Sequence, residues 1–262
     1  MNTVISKDGT AIAFDRSGQG PALILVGGAF QYRAIDPRTA QLAALLAEQF
    51  TVVHYDRRGR GDSGDTHPYA VEREIEDLEA LIQKAGGSAC VFGMSSGGAL
   101  ALEAVVRGLA ITKLAVYEVP FNSGDGQARA AAQHYTRELS ARLREGRRGD
   151  AVAFAMTTWG APAEAVAGMR QTPIWPLFEA VAPTLAYDDA LMGDGAVPTQ
   201  RLALITIPTL VMAGGASPAF MQDAAQVVAH AFPNAQLRTL EGQTHDVAPE
   251  ILAPVLAEFF QG

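Results

Sequence analysis

Ala89-Cys90-Val91-Phe92-Gly93-Met94-Ser95-Ser96-Gly97-Gly98-Ala99-Leu100-Ala101-Leu102 is the stretch that decides how this chain folds. Four apolar residues read as a buried strand, and Ala99 to Val106 reads as a helix. Between them lies Gly93-Met94-Ser95-Ser96-Gly97, a G-x-S-x-G turn in a strand-to-helix context. A serine on so tight a turn sits in strained backbone, and small neighbours let the strand and helix pack close. Such a turn lifts the Ser95 hydroxyl out at the carboxyl end of a sheet. There it stands beside a helix N-terminus whose free N–H groups favour negative charge.

Working outward, strands and helices alternate. Val4-Ile5 and Ile12-Ala13-Phe14 flank Asp8-Gly9 as two antiparallel strands around a turn. Strands are then predicted near 22–26, 51–55, 89–92, 113–117, 209–213 and 236–240. Helices are predicted near 39–48, 71–85, 96–107, 219–231 and 248–260. Short, nearly all-apolar strands imply a sheet covered on both faces, so the fold class is α/β with a mostly parallel central sheet flanked by helices. In such sheets ligands bind at the carboxyl ends of the strands. Gly27-Gly28-Ala29, Ser95, Glu118, Ser217 and His245 all follow strands, which points to one site.

Two further segments join the serine turn. The strand Ala22-Leu23-Ile24-Leu25-Val26 runs into Gly27-Gly28-Ala29-Phe30, a glycine turn suited to half of an oxyanion hole. The N–H groups of Ala29 and Ser96 are the expected donors. After the strand Thr51 to Tyr55 comes Asp56-Arg57-Arg58-Gly59-Arg60-Gly61-Asp62-Ser63-Gly64. With this D-x-R-G-x-G-x-S stretch the chain resembles the α/β-hydrolase family. The stretch reads as a structural turn, its arginines balanced by neighbouring acids rather than held for phosphate.

The resemblance implies a chain order of serine, acid, histidine. Of five histidines, only His245 stands on the loop after the final strand, where a general base belongs. Most family members carry the acid after the seventh strand, but that position holds Ser217 here. Some branches carry it after the sixth strand, and Glu118 ends the strand Lys113 to Tyr117. Glu118 is therefore the expected acid, with Asp223 and Asp246 as alternatives. Asp246 is otherwise read as a cap on the last helix. Epoxide hydrolases and haloalkane dehalogenases need a carboxylate at the elbow, so Ser95 excludes them.

Residues 121–200 break the alternation and turn helical and Ala-rich. The resemblance implies a helical cap inserted after the sixth strand, dividing the chain into a core of residues 1–120 and 201–262 and a cap of 121–200. Helices are expected over 128–145 and 151–158 and around Leu177 to Val181, with Leu185 to Asp194 as a link to the sheet. Phe30 and Met94 are expected pocket walls. Trp159 and Trp175 are candidates for the same wall, or for the cap's own core.

Composition bounds the rest. The chain has 262 residues, 48% of them hydrophobic and 18% charged, enough to build one α/β core with an insert. A net charge of −8 argues against nucleic acid and anionic membranes as partners. The one cysteine, Cys90, lies in an apolar strand and reads as a buried thiol. There is no metal spacing, phosphate loop or leader pattern, so no cofactor or metal is expected and a cytoplasmic location is the default. The expected ligand is a small molecule, and a homodimer is compatible with the chain. The implied activity is hydrolysis of a small or medium ester through an acyl-enzyme. Thioester, lactone, amide or carbon–carbon cleavage, a cofactor-free perhydrolase or haloperoxidase-like reaction, and a non-catalytic ligand-binding homologue are the alternatives.

Overall fold

The computed structural model describes residues 2–262. One eight-stranded sheet organises it. The strands are β1 (Asn2–Ile5), β2 (Ala11–Ser17), β3 (Ala22–Val26), β4 (Thr51–Tyr55), β5 (Ala89–Met94), β6 (Ile111–Tyr117), β7 (Thr209–Gly214) and β8 (Ala235–Leu240). Their spatial order is β1-β2-β4-β3-β5-β6-β7-β8. β1 and β2 pair antiparallel, β2 pairs antiparallel with β4, and every later pairing is parallel. Chain order reverses at β3, which lies between β4 and β5. A crevice opens at the carboxyl ends of strands at such a reversal.

Helices cover both faces. On one side α2 (Val71–Ala85), α3 (Ser96–Val106) and α10 (Ala219–Ala231) pack on Ile24, Val91, Leu114 and Val211. On the other, α1 (Pro37–Leu46) and α11 (Pro249–Gln261) pack on Leu25, Phe92, Tyr117 and Met212. β4 and β7 are buried at every residue, as expected for strands covered on both sides. Cys90 is buried in the second of these clusters, and burial pushes its thiol pKa up. Among the described residues, no helix is long and apolar enough to cross a membrane.

The stretch between β6 and β7 is helical: α4 (Gly126–Arg144), α5 (Arg148–Thr158), α6 (Ala163–Met169), α7 (Trp175–Val181), α8 (Leu185–Met192) and α9 (Thr199–Leu202). Leu139, Val152, Ala155, Val166, Trp175 and Leu185 form its own small core, against which Ala29 and Phe30 pack. Leu191 and Leu202 belong instead to the main core. The expected link over 185–194 is thus corrected. Leu185, Tyr187, Asp188 and Leu191 are buried on α8, and the charge that argued against packing is neutralised inside the protein.

Close approach of α3 to β3 sets the serine turn. A Cβ built on Gly97 would stand 2.3 Å from the Val26 carbonyl oxygen and 2.5 Å from that of Gly27. One on Gly93 would stand 2.6 Å from the Gly97 oxygen. Both positions therefore exclude any side chain. Gly97→Ala is expected to cost about 2–3 kcal/mol of folding stability by forcing these backbones apart. Chemical denaturation of the two proteins measures it, and a difference under about 0.5 kcal/mol, the size of an ordinary surface substitution, contradicts the close-packing account.

Candidate active site

Among the described residues, three that are not glycine adopt left-handed backbone: Phe30 (φ 62°), Ser95 (φ 54°) and Glu118 (φ 46°). They stand just beyond β3, β5 and β6, neighbouring strands of the sheet. Each costs of order 1–3 kcal/mol, so the surrounding structure must hold it there. Such strain in three side-chain-bearing residues at one sheet edge marks a candidate functional site.

Ser95 is the N-cap of α3. Its own N–H donates to the Tyr117 carbonyl at 2.9 Å, and its carbonyl accepts from Gly98 at 2.9 Å. The glycine turn after β3 lies against it: a Cβ on Gly28 would approach the Ser95 Cβ to 2.9 Å. The N–H groups of Ala29 and Ser96 have no hydrogen-bond acceptor among the described residues. Ser96 also opens α3, where the helix field favours an anion.

Glu118 is buried, and its Oε2 accepts a hydrogen bond from His245 Nδ1 at 2.8 Å. Its Oε1 accepts from the Gly214 N–H at 2.7 Å. Burial pushes the Glu118 pKa up. The hydrogen bonds from His245, the nearby Ser217 hydroxyl, the Gly214 N–H and the charge interaction with His245 outweigh it, and the net direction is down. Ser217 is itself buried at the end of β7, though its oxygen makes no bond of ordinary geometry. The carboxylate fixes the imidazole with Nδ1 protonated, which leaves Nε2 as the acceptor in the neutral ring.

The histidine loop is held on both sides. The Tyr117 hydroxyl donates to the Thr244 carbonyl at 2.6 Å, and Arg38 Nη1 donates to the Asp246 carbonyl at 2.7 Å. Asp246 is an exposed partner of Arg38, not a helix cap; Ala248 N–H is taken by the Gln243 side chain instead. Asp223 is exposed on α10. Neither alternative acid is bonded to His245.

A cavity of about 270 Å³ borders this edge between α1, α11 and α7. Phe30 and Met94 line it together with Leu25, Phe92, Leu42 and Leu252. Trp159 does not line it; half exposed, it meets Phe30 edge-on at 5.8 Å. Trp175 does not either: it is buried in the insert's core, where its indole N–H donates to Glu179 at 2.9 Å. A large ring with a satisfied N–H is well used in a core, so Trp175 fits the cap-core alternative, while Trp159 stands half exposed beside Phe30.

The sequence reading missed Asp188. It is buried on α8, bonded to Arg57, Arg60 and the Ser96 hydroxyl. The signal available was the excess of buried-type positive charge in Asp56–Gly64, which needed more acids than its neighbours supply.

The left-handed Ser95, the His245 bonded to buried Glu118 and the unclaimed N–H groups of Ala29 and Ser96 all follow strands of the one sheet. The sequence model described as the alpha/beta hydrolase family matches residues 23–255, and the chain belongs to that family. It is similar to an alpha/beta hydrolase from Sphaerobacter thermophilus DSM 20745, with 57% identity over 99% of this chain and 100% of that one and a TM-score of 0.88. A hydrolase from Pseudomonas aeruginosa PA01 has the same fold at 23% identity, with a TM-score of 0.78 over 100% and 98% of the two chains. An uncharacterized hydrolase, YraK of Bacillus subtilis (strain 168), is 33% identical over 110 residues; the match spans 40% of each protein.

Because the Glu118 pKa lies below its ordinary value of 4.5, the folded state binds fewer protons than the unfolded chain. Its stabilisation is therefore complete above the unfolded value and is lost as pH falls through the folded one. The stability gap between wild type and Glu118→Gln is expected to be widest near neutral pH and to close below about pH 4.5. Urea titrations at several pH values measure the gap, and one that stays constant down to pH 3 contradicts the assignment.

Proposed function

We propose that the chain is a serine hydrolase that cleaves small or medium ester-type substrates through an acyl-enzyme. The observation that carries this reading is the buried Glu118 bonded at 2.8 Å to His245 Nδ1. A ligand-binding homologue with a decayed site has no use for a carboxylate desolvated beside a histidine, because burying it unpaired is costly. The reading also accounts for Ser217: with the acid on β6, the position after β7 is free to hold a hydroxyl.

In the proposed reaction His245 Nε2 takes the proton of Ser95 as its Oγ attacks the ester carbonyl. The N–H groups of Ala29 and Ser96 receive the negative oxygen of the tetrahedral intermediate. The carbon–oxygen bond to the leaving alcohol breaks, and His245 returns the proton to that alcohol. Water then attacks the acyl-enzyme with His245 again as base, releasing the acid and restoring Ser95. Glu118 orients the imidazole and stabilises its charged form. Residues 121–200 serve as the cap, and the cavity walled by Phe30 and Met94 takes an apolar part of the substrate.

Intact mass after treatment with a fluorophosphonate tests the reading. Wild type is expected to gain one adduct and Ser95→Ala none. Glu118→Gln is expected to label more slowly by on the order of 10³-fold, since the imidazole loses its carboxylate. An unlabelled wild-type protein would overturn the assignment. A parallel panel of p-nitrophenyl esters, a lactone and a thioester then ranks the bond type by kcat/KM.

A further inference from the structure

A cluster of buried charges lies behind the site rather than in it. Arg57 and Arg60 are each 1% exposed, Glu74 is 2% and Asp188 4%. Asp188 Oδ1 accepts from Arg57 Nη1 at 2.8 Å and Arg60 Nη2 at 2.9 Å, and Oδ2 accepts from Arg60 Nη2 at 2.8 Å. Glu74 takes the other edge of Arg57, at 2.7 Å from Nε and 2.8 Å from Nη2. Two guanidinium groups and two carboxylates thus balance, which lets them remain charged without water.

What this quartet holds is specific. The Ser96 hydroxyl donates to Asp188 Oδ1 at 2.7 Å. Arg57 Nη1 reaches the Gly27 carbonyl at 3.4 Å, and Arg60 Nη1 donates to the Gly28 carbonyl. The Gly28 carbonyl and the Ala29 N–H belong to one planar peptide unit, so fixing the first aims the second. The other expected oxyanion donor is the N–H of Ser96, whose side chain Asp188 holds. Both donor peptides are therefore tethered to a single carboxylate, and that carboxylate comes from the helical insert, 92 residues after Ser96.

We propose that Asp188 is the positioning residue of the oxyanion hole, the point at which the insert sets the geometry of both donor N–H groups. The proposal rests on the serine-hydrolase reading above. Asp188 does not touch substrate; it acts through Ser96, Arg57 and Arg60. Docking of α8 and competence of the hole are then one event, because the tethers form only when α8 is seated against α3.

The test compares wild type with Ser96→Ala, Asp188→Asn and Asp189→Asn. Asp189 is the next residue on α8 and bonds Thr136 outside the quartet. Active sites are counted by fluorophosphonate titration, and p-nitrophenyl butyrate hydrolysis gives kcat per labelled site and KM. Ser96→Ala keeps the backbone donor and all four charges but cuts its tether, and is expected to lower kcat roughly tenfold with KM within about twofold, the loss of one charge-assisted hydrogen bond. Asp188→Asn is expected to lower kcat by about 10²-fold, the scale of a lost oxyanion donor, and Asp189→Asn to stay within about twofold. If Ser96→Ala retains its kcat per labelled site, or if KM rises while kcat holds, the proposal is overturned. Should Asp188→Asn fail to fold, the Ser96→Ala result decides. A wild-type protein that does not label overturns the serine reading and this proposal together, whereas a labelled wild type with an unaffected Ser96→Ala overturns this proposal alone.

Discussion

The structure depends first on how near helix α3 comes to strand β3. Gly97 rests against the carbonyls of Val26 and Gly27, and that contact leaves Ser95 no room to relax out of its left-handed backbone. The same contact brings the glycine turn after β3 beside the serine side chain. Serine turn and glycine turn are therefore not two features that happen to be neighbours. One steric constraint creates both, and the strain at Phe30 and Ser95 is held by the sheet and helix packing beneath.

Electrostatics supplies the second layer. The loop after β4 carries Arg57, Arg58 and Arg60, and all three are buried. Their carboxylates come from three places in the chain: Arg58 uses Asp77 on α2 and Asp8 before β2, Arg57 uses Glu74 on α2 and Asp188 on α8, and Arg60 uses Asp188. The loop therefore ties the sheet edge, α2 and the insert together through desolvated charge. Removing Asp188 would leave Arg60 buried with no carboxylate, which is costlier than losing an exposed ion pair.

Much of this was legible in the sequence. Strand runs such as Leu23 to Val26 and Val52 to Tyr55 are apolar because both sheet faces are covered, so their positions and parallel character could be read directly. Ser95, Glu118 and His245 each follow a strand, and Glu118 could be singled out as the partner of His245 because Ser217 occupies the alternative position. The insert was harder. Its helices are short, and their burial depends on partners distant in sequence. Asp188 fell in a stretch read as a link to the sheet because the arginines that claim it lie about 130 residues earlier. Trp175 stayed open between pocket wall and cap core because composition cannot say that Glu179, one turn along the same helix, takes its N–H. The left-handed backbone of Phe30 and Glu118 had no local signal either, since neither residue type favours it.

The placement of Glu118 just after β6 has a consequence for how the protein matures. Ser95 and Glu118 lie within one strand–helix–strand unit, β5-α3-β6, so the geometry between them is built from a short, contiguous piece of chain. His245 is 127 residues beyond Glu118, on a loop that hangs from β8 and is clamped by Tyr117 and Arg38. A chain emerging from the ribosome acquires the first two groups well before the third. Half-made protein therefore holds the hydroxyl and the carboxylate without the imidazole, which meets the carboxylate only once β8 docks at the sheet edge.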